Sequence, residues 1–174
     1  RRIAKKMIKL VESLRDKGDS IGGIIRGVIK NVPVGLGEPV FDKLPADLGK
    51  AMLSVNAVKG FDIGLGFEGV EKRGSEYNDK LYLDKYKRVR AKTNNAGGTL
   101  GGISNGETIY FRVAIKPPST IKKIQSTVNT SGKKVKFKAA GRHDPYVLPR
   151  AVPIVDSMAA LVIMDHFLKQ KALS

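Results

Sequence analysis

Residues 107–118 read Glu107-Thr108-Ile109-Tyr110-Phe111-Arg112-Val113-Ala114-Ile115-Lys116-Pro117-Pro118. Ile109, Phe111, Val113 and Ile115 recur every second residue, the period of a strand with one face in a core. The strand must stop at Pro117 and Pro118, which offer no backbone N–H to a ladder. Upstream, residues 93–106 carry Gly97, Gly98, Gly101, Gly102 and Gly106, a loop whose backbone can approach another group closely. Downstream, Ser131-Gly132 marks the turn of a polar hairpin between Val128 and Val135.

Working outward, residues 3–14 place Ile3, Met7, Leu10, Val11 and Leu14 at helical spacing, with Arg2, Lys5, Lys6 and Lys9 elsewhere, and Gly18 ends this amphipathic helix. Residues 21–32 read as a strand running into a turn at Asn31-Val32-Pro33. Leu44, Leu48, Met52 and Val55 predict a helix over 42–57, closed by Lys59-Gly60. Phe61, Ile63, Leu65 and Phe67 predict a strand over 61–70, and the polar stretch 74–92 a long loop. Residues 151–173 are apolar on nearly all sides, which predicts a buried helix. Strands and helices mix without regular alternation, so the expected class is α+β, with antiparallel strands covering long helices.

The chain has 174 residues, and 32 Lys+Arg against 16 Asp+Glu give a net charge of +16. With 41% apolar residues it can bury a core. It has no cysteine, which excludes disulfides, thiolate metal sites and Cys nucleophiles, and His143 and His166 are its two histidines. No metal site is expected. No apolar run reaches the ~18 residues of a membrane span, so a soluble protein without a membrane partner is expected. Between Glu107 and Asp144 every charged residue is basic, from Arg112 and Lys116 through Lys133, Lys134, Lys136 and Lys138 to Arg142. Such a segment attracts polyanions, and one reading is a basic module for nucleic acid. Against sequence-specific binding stand the absence of Trp and of any recognisable nucleic-acid motif. The other reading is phosphorylated small ligands held by cations and glycine-exposed amides. Lys116-Pro117-Pro118-Ser119-Thr120 and Gly141-Arg142-His143-Asp144-Pro145 concentrate the right chemistry: cations, hydroxyls, an imidazole and a carboxylate in tight turns.

Six ordered segments resemble the chorismate synthase family. They are residues 18–23, Asn31 to Pro39, Met52 to Gly60, the glycine loop, Lys116 to Thr120, and Arg142 to Pro145 continuing to Arg150-Ala151-Val152-Pro153. The resemblance covers the whole chain as the C-terminal half of a single domain, and implies a protein about twice as long. It implies a β-α-β sandwich of antiparallel sheets around long helices, assembled as a homotetramer in the cytoplasm, or in a plastid or other organelle of a eukaryote. It also implies a lyase that converts 5-enolpyruvylshikimate-3-phosphate to chorismate and phosphate with reduced FMN; some family members also carry a flavin reductase. By motif match, Asn56, Ala57, Gly101, Lys116, Pro117, Pro118, Ser119, Thr120 and Arg142 would meet the flavin, and Asp144 would act as the catalytic carboxylate near flavin N5. His143 would support the turn and His166 would serve packing. Tyr146, where the family has a small residue, and Asp156, where it has Glu, depart from the pattern. The family's two essential histidines and several substrate arginines lie in the half not represented here, so the isolated chain is expected to be inactive.

Overall fold

The computed structural model describes residues 2–141 and 143–173. Its centre is a three-stranded antiparallel sheet in the order β1-β7-β2, with β1 at Gly23–Ile29, β2 at Val58–Ile63 and β7 at Ile109–Ile115. The alternation that predicts β7 is realised: Ile109, Phe111, Val113 and Ile115 are buried, while Tyr110, Arg112 and Ala114 lie on the other face. β1 pairs with β7 from Gly23↔Ile115 to Ile29↔Ile109. β2 pairs on the opposite edge from Val58↔Ile115 to Ile63↔Phe111, with an irregularity between Val58 and Gly60.

Two helices cover the inner face. Helix α2, Leu44–Ser54, has Pro45 in its first turn, where the missing N–H costs nothing, and buries Leu44, Leu48 and Met52. The long helix α4, Leu148–Leu173, lies against α2 and β1 and buries Leu148, Ala151, Val155 and Ala159. Near its far end His166 is 2% exposed, and its Nε2 is 3.0 Å from Asp47 Oδ2 in the first turn of α2. That contact makes the two helices antiparallel and gives His166 the packing role expected of it. The architecture is α+β, as expected.

Several local expectations are corrected. The second helix ends at Ser54 rather than 57, because Val55 is already extended and Ala57 has φ +69. The strand expected over 61–70 begins at Val58 and ends at Ile63; Gly64 and Gly66 have positive φ and turn the chain into a short 3₁₀ helix, Gly66–Glu71, with Phe67 exposed. The stretch 74–92 holds a one-turn helix α3, Gly74–Tyr77, and a hairpin of β3, Leu81–Leu83, with β4, Val89–Ala91. The glycine loop contains another hairpin, β5, Thr99–Leu100, with β6, Ile103–Ser104. The polar hairpin is present as β8, Gln125–Val128, and β9, Lys134–Phe137.

Helix α4 begins at Leu148 rather than 151 and is not buried all round, since Val152, Ile154, Leu161, Met164, Phe167 and Leu168 are exposed. Apolar periodicity shows which residues prefer burial, and the described residues cover one stripe of them. The helix is also long and apolar enough, by length and composition, to cross a membrane, contrary to the reading that no run suffices. Helix α1, Arg2–Asp16, forms as predicted, but none of its described residues is buried.

Two packing features lead to predictions. The Phe111 ring lies over Gly27, where an added Cβ would meet ring carbons at 2.1 to 2.5 Å. Gly27→Val should therefore lower the unfolding free energy by about 1–3 kcal/mol, read from the urea midpoint; an unchanged midpoint would show that the ring can move aside. Glu107 accepts from Arg90 Nε at 2.7 Å, Arg90 Nη2 at 2.8 Å and the Ala91 amide at 2.9 Å, fastening the β3–β4 hairpin beside the glycine loop. The Arg90 guanidinium, helped by the Ala91 amide, holds the Glu107 carboxyl below its usual range despite partial burial. Because the folded value is depressed, this stabilisation is complete above the unfolded carboxylate pKa of about 4.3 and disappears as pH falls through the folded value. Glu107→Gln should flatten the acid limb of stability measured by urea unfolding between about pH 6 and pH 3; an identical acid limb in the variant would assign that dependence to other carboxylates.

Candidate active site

The centre of the candidate site lies where both outer strands begin. Gly23 and Val58 each pair with Ile115, so the chain leaving β7 at Lys116 passes between the start of β1 and the loop joining α2 to β2. The Lys116 amide donates to the Ala57 carbonyl at 2.9 Å. Ala57 holds φ +69, a left-handed conformation that costs a non-glycine residue about 1–2 kcal/mol. That strained backbone sits at the contact between two motif segments.

Beside this junction lies a cleft of about 500 Å³, within the size range of small-molecule sites. Val55, Ala57, Ile115, Ile154 and Met158 give it an apolar wall, and Asn56 and Arg150 supply polar groups. Arg150, in the first turn of α4, also forms an ion pair with Asp144. Thus Asn56, Ala57, Lys116 and Asp144 are brought to one region, joined by hydrogen bonds, a shared cleft and an ion pair. Arg150 is the member the sequence reading missed. It stands inside a quoted motif, but only the return of α4 onto the end of α2 shows that it links Asp144 to the Asn56 cleft.

The turn of residues 117–120 follows directly. The Pro118 carbonyl accepts from Ser20 Oγ at 2.6 Å, and Thr120 lines a small cavity of about 30 Å³ together with His143 and Asp144. His143 Nε2 is buried with no hydrogen-bond partner among the described residues. Arg142 lies outside the described residues. Tyr146 is half-buried against the core and Asp156 is exposed.

Gly101 is placed elsewhere. It turns the β5–β6 hairpin at φ +61, and the adjacent Gly102 carbonyl accepts from the Leu44 amide at the opposite end of α2. The seven residues of β7 separate that end from Lys116, roughly 20 Å along a strand. An added Cβ at Gly101 would meet nothing within 4 Å, so its backbone angle, not crowding, favours glycine.

Internal ties fix the loop that carries Gly101. Asp79 accepts from Thr93 Oγ1 at 2.6 Å, the Asn95 amide at 2.8 Å and the Ala96 amide at 3.0 Å. Partial burial pushes the Asp79 carboxyl upward, but donation by Thr93, Ala96 and Asn95 outweighs it and the net shift is downward. Asn94 donates to the Thr108 carbonyl and accepts from the Gly98 amide. Among the described residues no cluster of three or more acidic or imidazole side chains is arranged to hold a metal ion.

The family profile described as chorismate synthase matches residues 1–168. Chorismate synthase of Cytophaga hutchinsonii is 59% identical over 98% of this chain and 48% of its own length, and that of Synechococcus elongatus is 57% identical over 98% and 47%. A solved structure titled as a crystal structure of chorismate synthase superposes with a TM-score of 0.78 at 30% identity, covering 95% of this chain and 43% of that one. The chain therefore spans about half the length of the curated relatives it matches. The reading as a nucleic-acid module gains no support from these matches. Nearly every residue of the chain falls within the match, and the chain belongs to the chorismate synthase family.

Proposed function

We propose that residues 1–174 form the C-terminal part of a single-domain lyase that converts 5-enolpyruvylshikimate-3-phosphate to chorismate and phosphate. The observation that carries this reading is the junction that ties Lys116 to Ala57 and Asp144 to Arg150, with Ala57 and Arg150 both lining one apolar-walled cleft. In the reaction, the bond from carbon 3 to the phosphate oxygen breaks with its electron pair leaving on phosphate. The C6 hydrogen leaves as a proton taken up by a base of the site, the electrons of its bond shift into the ring to form a second double bond, and no net oxidation occurs.

The cleft fits a flat, largely apolar ring system with an anionic tail: its wall is largely aliphatic and Arg150 supplies a cation. Asn56, Ala57, Lys116, Pro117, Pro118, Ser119 and Thr120 would hold reduced FMN, with Arg142 by motif. Gly101 belongs to the same motif set and would contribute from the other end of α2. Reduced FMN, when bound there, would supply transient electron density to the substrate. Lys116 contributes positive charge beside the phosphates, and the Ser119 and Thr120 hydroxyls contribute hydrogen bonds. Asp144 would hold or relay a proton, and its ion pair with Arg150 orients the carboxylate. Ile115, Ile154 and Met158 keep water from the reacting face.

The same reading carries a homotetrameric, cytoplasmic protein. The apolar residues left exposed on α1 and α4, including Ile3, Met7, Leu161 and Phe167, support further packing partners, whether the rest of the domain or neighbouring subunits.

The test joins residues 1–174 to the missing half of the Cytophaga hutchinsonii relative and follows chorismate formation anaerobically. Turnover by the joined protein, with none from the 174-residue chain alone, is expected; a joined protein that folds and binds reduced FMN without turnover would reject the lyase assignment. Within it, Asp144→Asn should lower kcat by about 100-fold or more with the FMN Kd within about threefold of the parent, whereas equal loss of both would make Asp144 structural. Lys116→Ala should raise the FMN Kd by about tenfold or more, the worth of a charge-assisted contact, and an unchanged Kd would remove Lys116 from the flavin site.

A further inference from the structure

The motif Gly18-Asp19-Ser20-Ile21-Gly22 contributes none of the candidate ligand contacts above, yet it touches both turns that do. Ser20 Oγ donates to the Pro118 carbonyl at 2.6 Å. The Lys122 amide donates to the Gly18 carbonyl at 2.9 Å, and Lys123 Nζ reaches Asp19 Oδ2 at 2.5 Å. On the other side, the Ile21 amide donates to the Pro145 carbonyl at 2.9 Å. The two turns are separated by more than twenty residues of sequence and meet through these five.

The chemistry of the 116–120 turn makes the Ser20 contact a particular one. Pro117 and Pro118 have no N–H, so across two consecutive residues the turn can be held only through its carbonyls. The Pro118 carbonyl takes the Ser20 hydroxyl. At Gly22 the backbone passes so close that an added Cβ would lie 2.2 Å from the Ile115 carbonyl oxygen and 2.9 Å from Pro117 N. The segment is therefore seated against the base of the turn before Ser20 closes the contact. The 30 Å³ cavity between the turns, lined by Gly18, Asp19, Thr120, Lys122, His143 and Asp144, leaves room for about one water molecule, so a displacement of one turn is felt by the other.

We infer that Ser20 is a positioning residue that sets the 116–120 turn relative to the Asp144 turn, resting on the reading above for what those turns bind. It acts through Pro118 and does not itself touch ligand. Removing the hydroxyl frees the one carbonyl that fixes the proline pair and loosens both turns together, leaving the sheet intact.

Two measurements test this, and only the second depends on the flavin. In amide hydrogen exchange on the 174-residue chain, Ser20→Ala should speed exchange at both Lys122 and Ile21 by about fivefold with the β7 amides unchanged, and Ser20→Thr, which keeps a hydroxyl, should restore both. Unchanged rates, a change at Lys122 without Ile21, or an equal rise along β7 would each overturn the inference, the last by showing general destabilisation. In the joined protein, Ser20→Ala should raise the Kd for reduced FMN by about fivefold and Ser20→Thr should not. An unchanged Kd in an otherwise flavin-binding protein would overturn the link to the site. If the parent protein binds no reduced FMN, the lyase reading fails, while hydrogen exchange still decides whether Ser20 couples the two turns.

Discussion

Everything near the candidate site depends on how β7 is held. Among the described residues it is the strand paired along both edges, and its two neighbours both start opposite Ile115. The place where Lys116 leaves the sheet is thus set by two ladders at once. The inner face adds a second lock, because Phe111 sits over the bare backbone of Gly27 and 5.7 Å from the Phe61 ring. A one-residue slip of β7 would carry its buried face to solvent and carry Lys116 away from Ala57 and Gly22. The precision of the site is inherited from sheet register, and its loops need only short reach from a fixed origin.

The large positive charge has a structural counterpart in how the acids are used. Asp62 takes a forked contact from Arg112, with Nη2 at 2.6 Å and Nε at 2.9 Å. Glu107 takes Arg90, Asp84 takes Arg88 and the Tyr86 amide, and Asp79 takes a hydroxyl and two amides. Asp19 is held by Lys123 and the Ser20 amide, which keep its carboxyl below the usual range. These acids close loops and hairpins, so they neutralise neighbouring arginines and backbone donors. The lysines of the 116–138 stretch face no acid of their own segment. Lys123 is answered from outside the segment by Asp19, and on the proposed reading a phosphorylated ligand near Lys116 would meet the positive potential of the other lysines.

Much of the fold is legible in the sequence wherever one face is buried and the other is not. β7 and the core face of α2 announce themselves by period, and Pro117 marks the end of the strand. Legibility fails where geometry overrides pattern. Phe61, Ile63, Leu65 and Phe67 alternate as if in one strand, but positive φ at Gly64 and Gly66 breaks it after Ile63. The β3–β4 hairpin escapes notice because each strand has three residues and its turn places Lys87, not glycine, at φ +59. The exposure of α4 is invisible to periodicity, which reports preference for burial and not the presence of a cover. In the site, motif order identifies the segments but not their spatial grouping. Nothing in the spacing of Gly101 from Lys116 reveals that β7 sets them at opposite ends of the sheet. Arg150 and Ser20 become visible only when long-range contacts are known.

Beside the Ser20 hydroxyl on Pro118 and the Lys123–Asp19 pair, backbone makes several of the joints between the grouped segments. Ala57 is held in a left-handed conformation with its carbonyl on the Lys116 amide. Gly22 is pressed against Ile115 and Pro117, and Pro118 offers a carbonyl and no amide. Joints of this kind make no use of the side chains of Asn56, Lys116, Ser119 and Thr120, which on the proposed reading would face a ligand. Asp144 is an exception, because its carboxylate is already engaged by Arg150. A scaffold fixed through amides and carbonyls also resists the electrostatic pull of a polyanionic ligand better than one fixed through lysines, since no tie need break when phosphate arrives. The strain at Ala57 is consistent with that division: its energetic cost falls on a backbone angle that the surrounding sheet enforces, and the ionic groups keep their charge for binding.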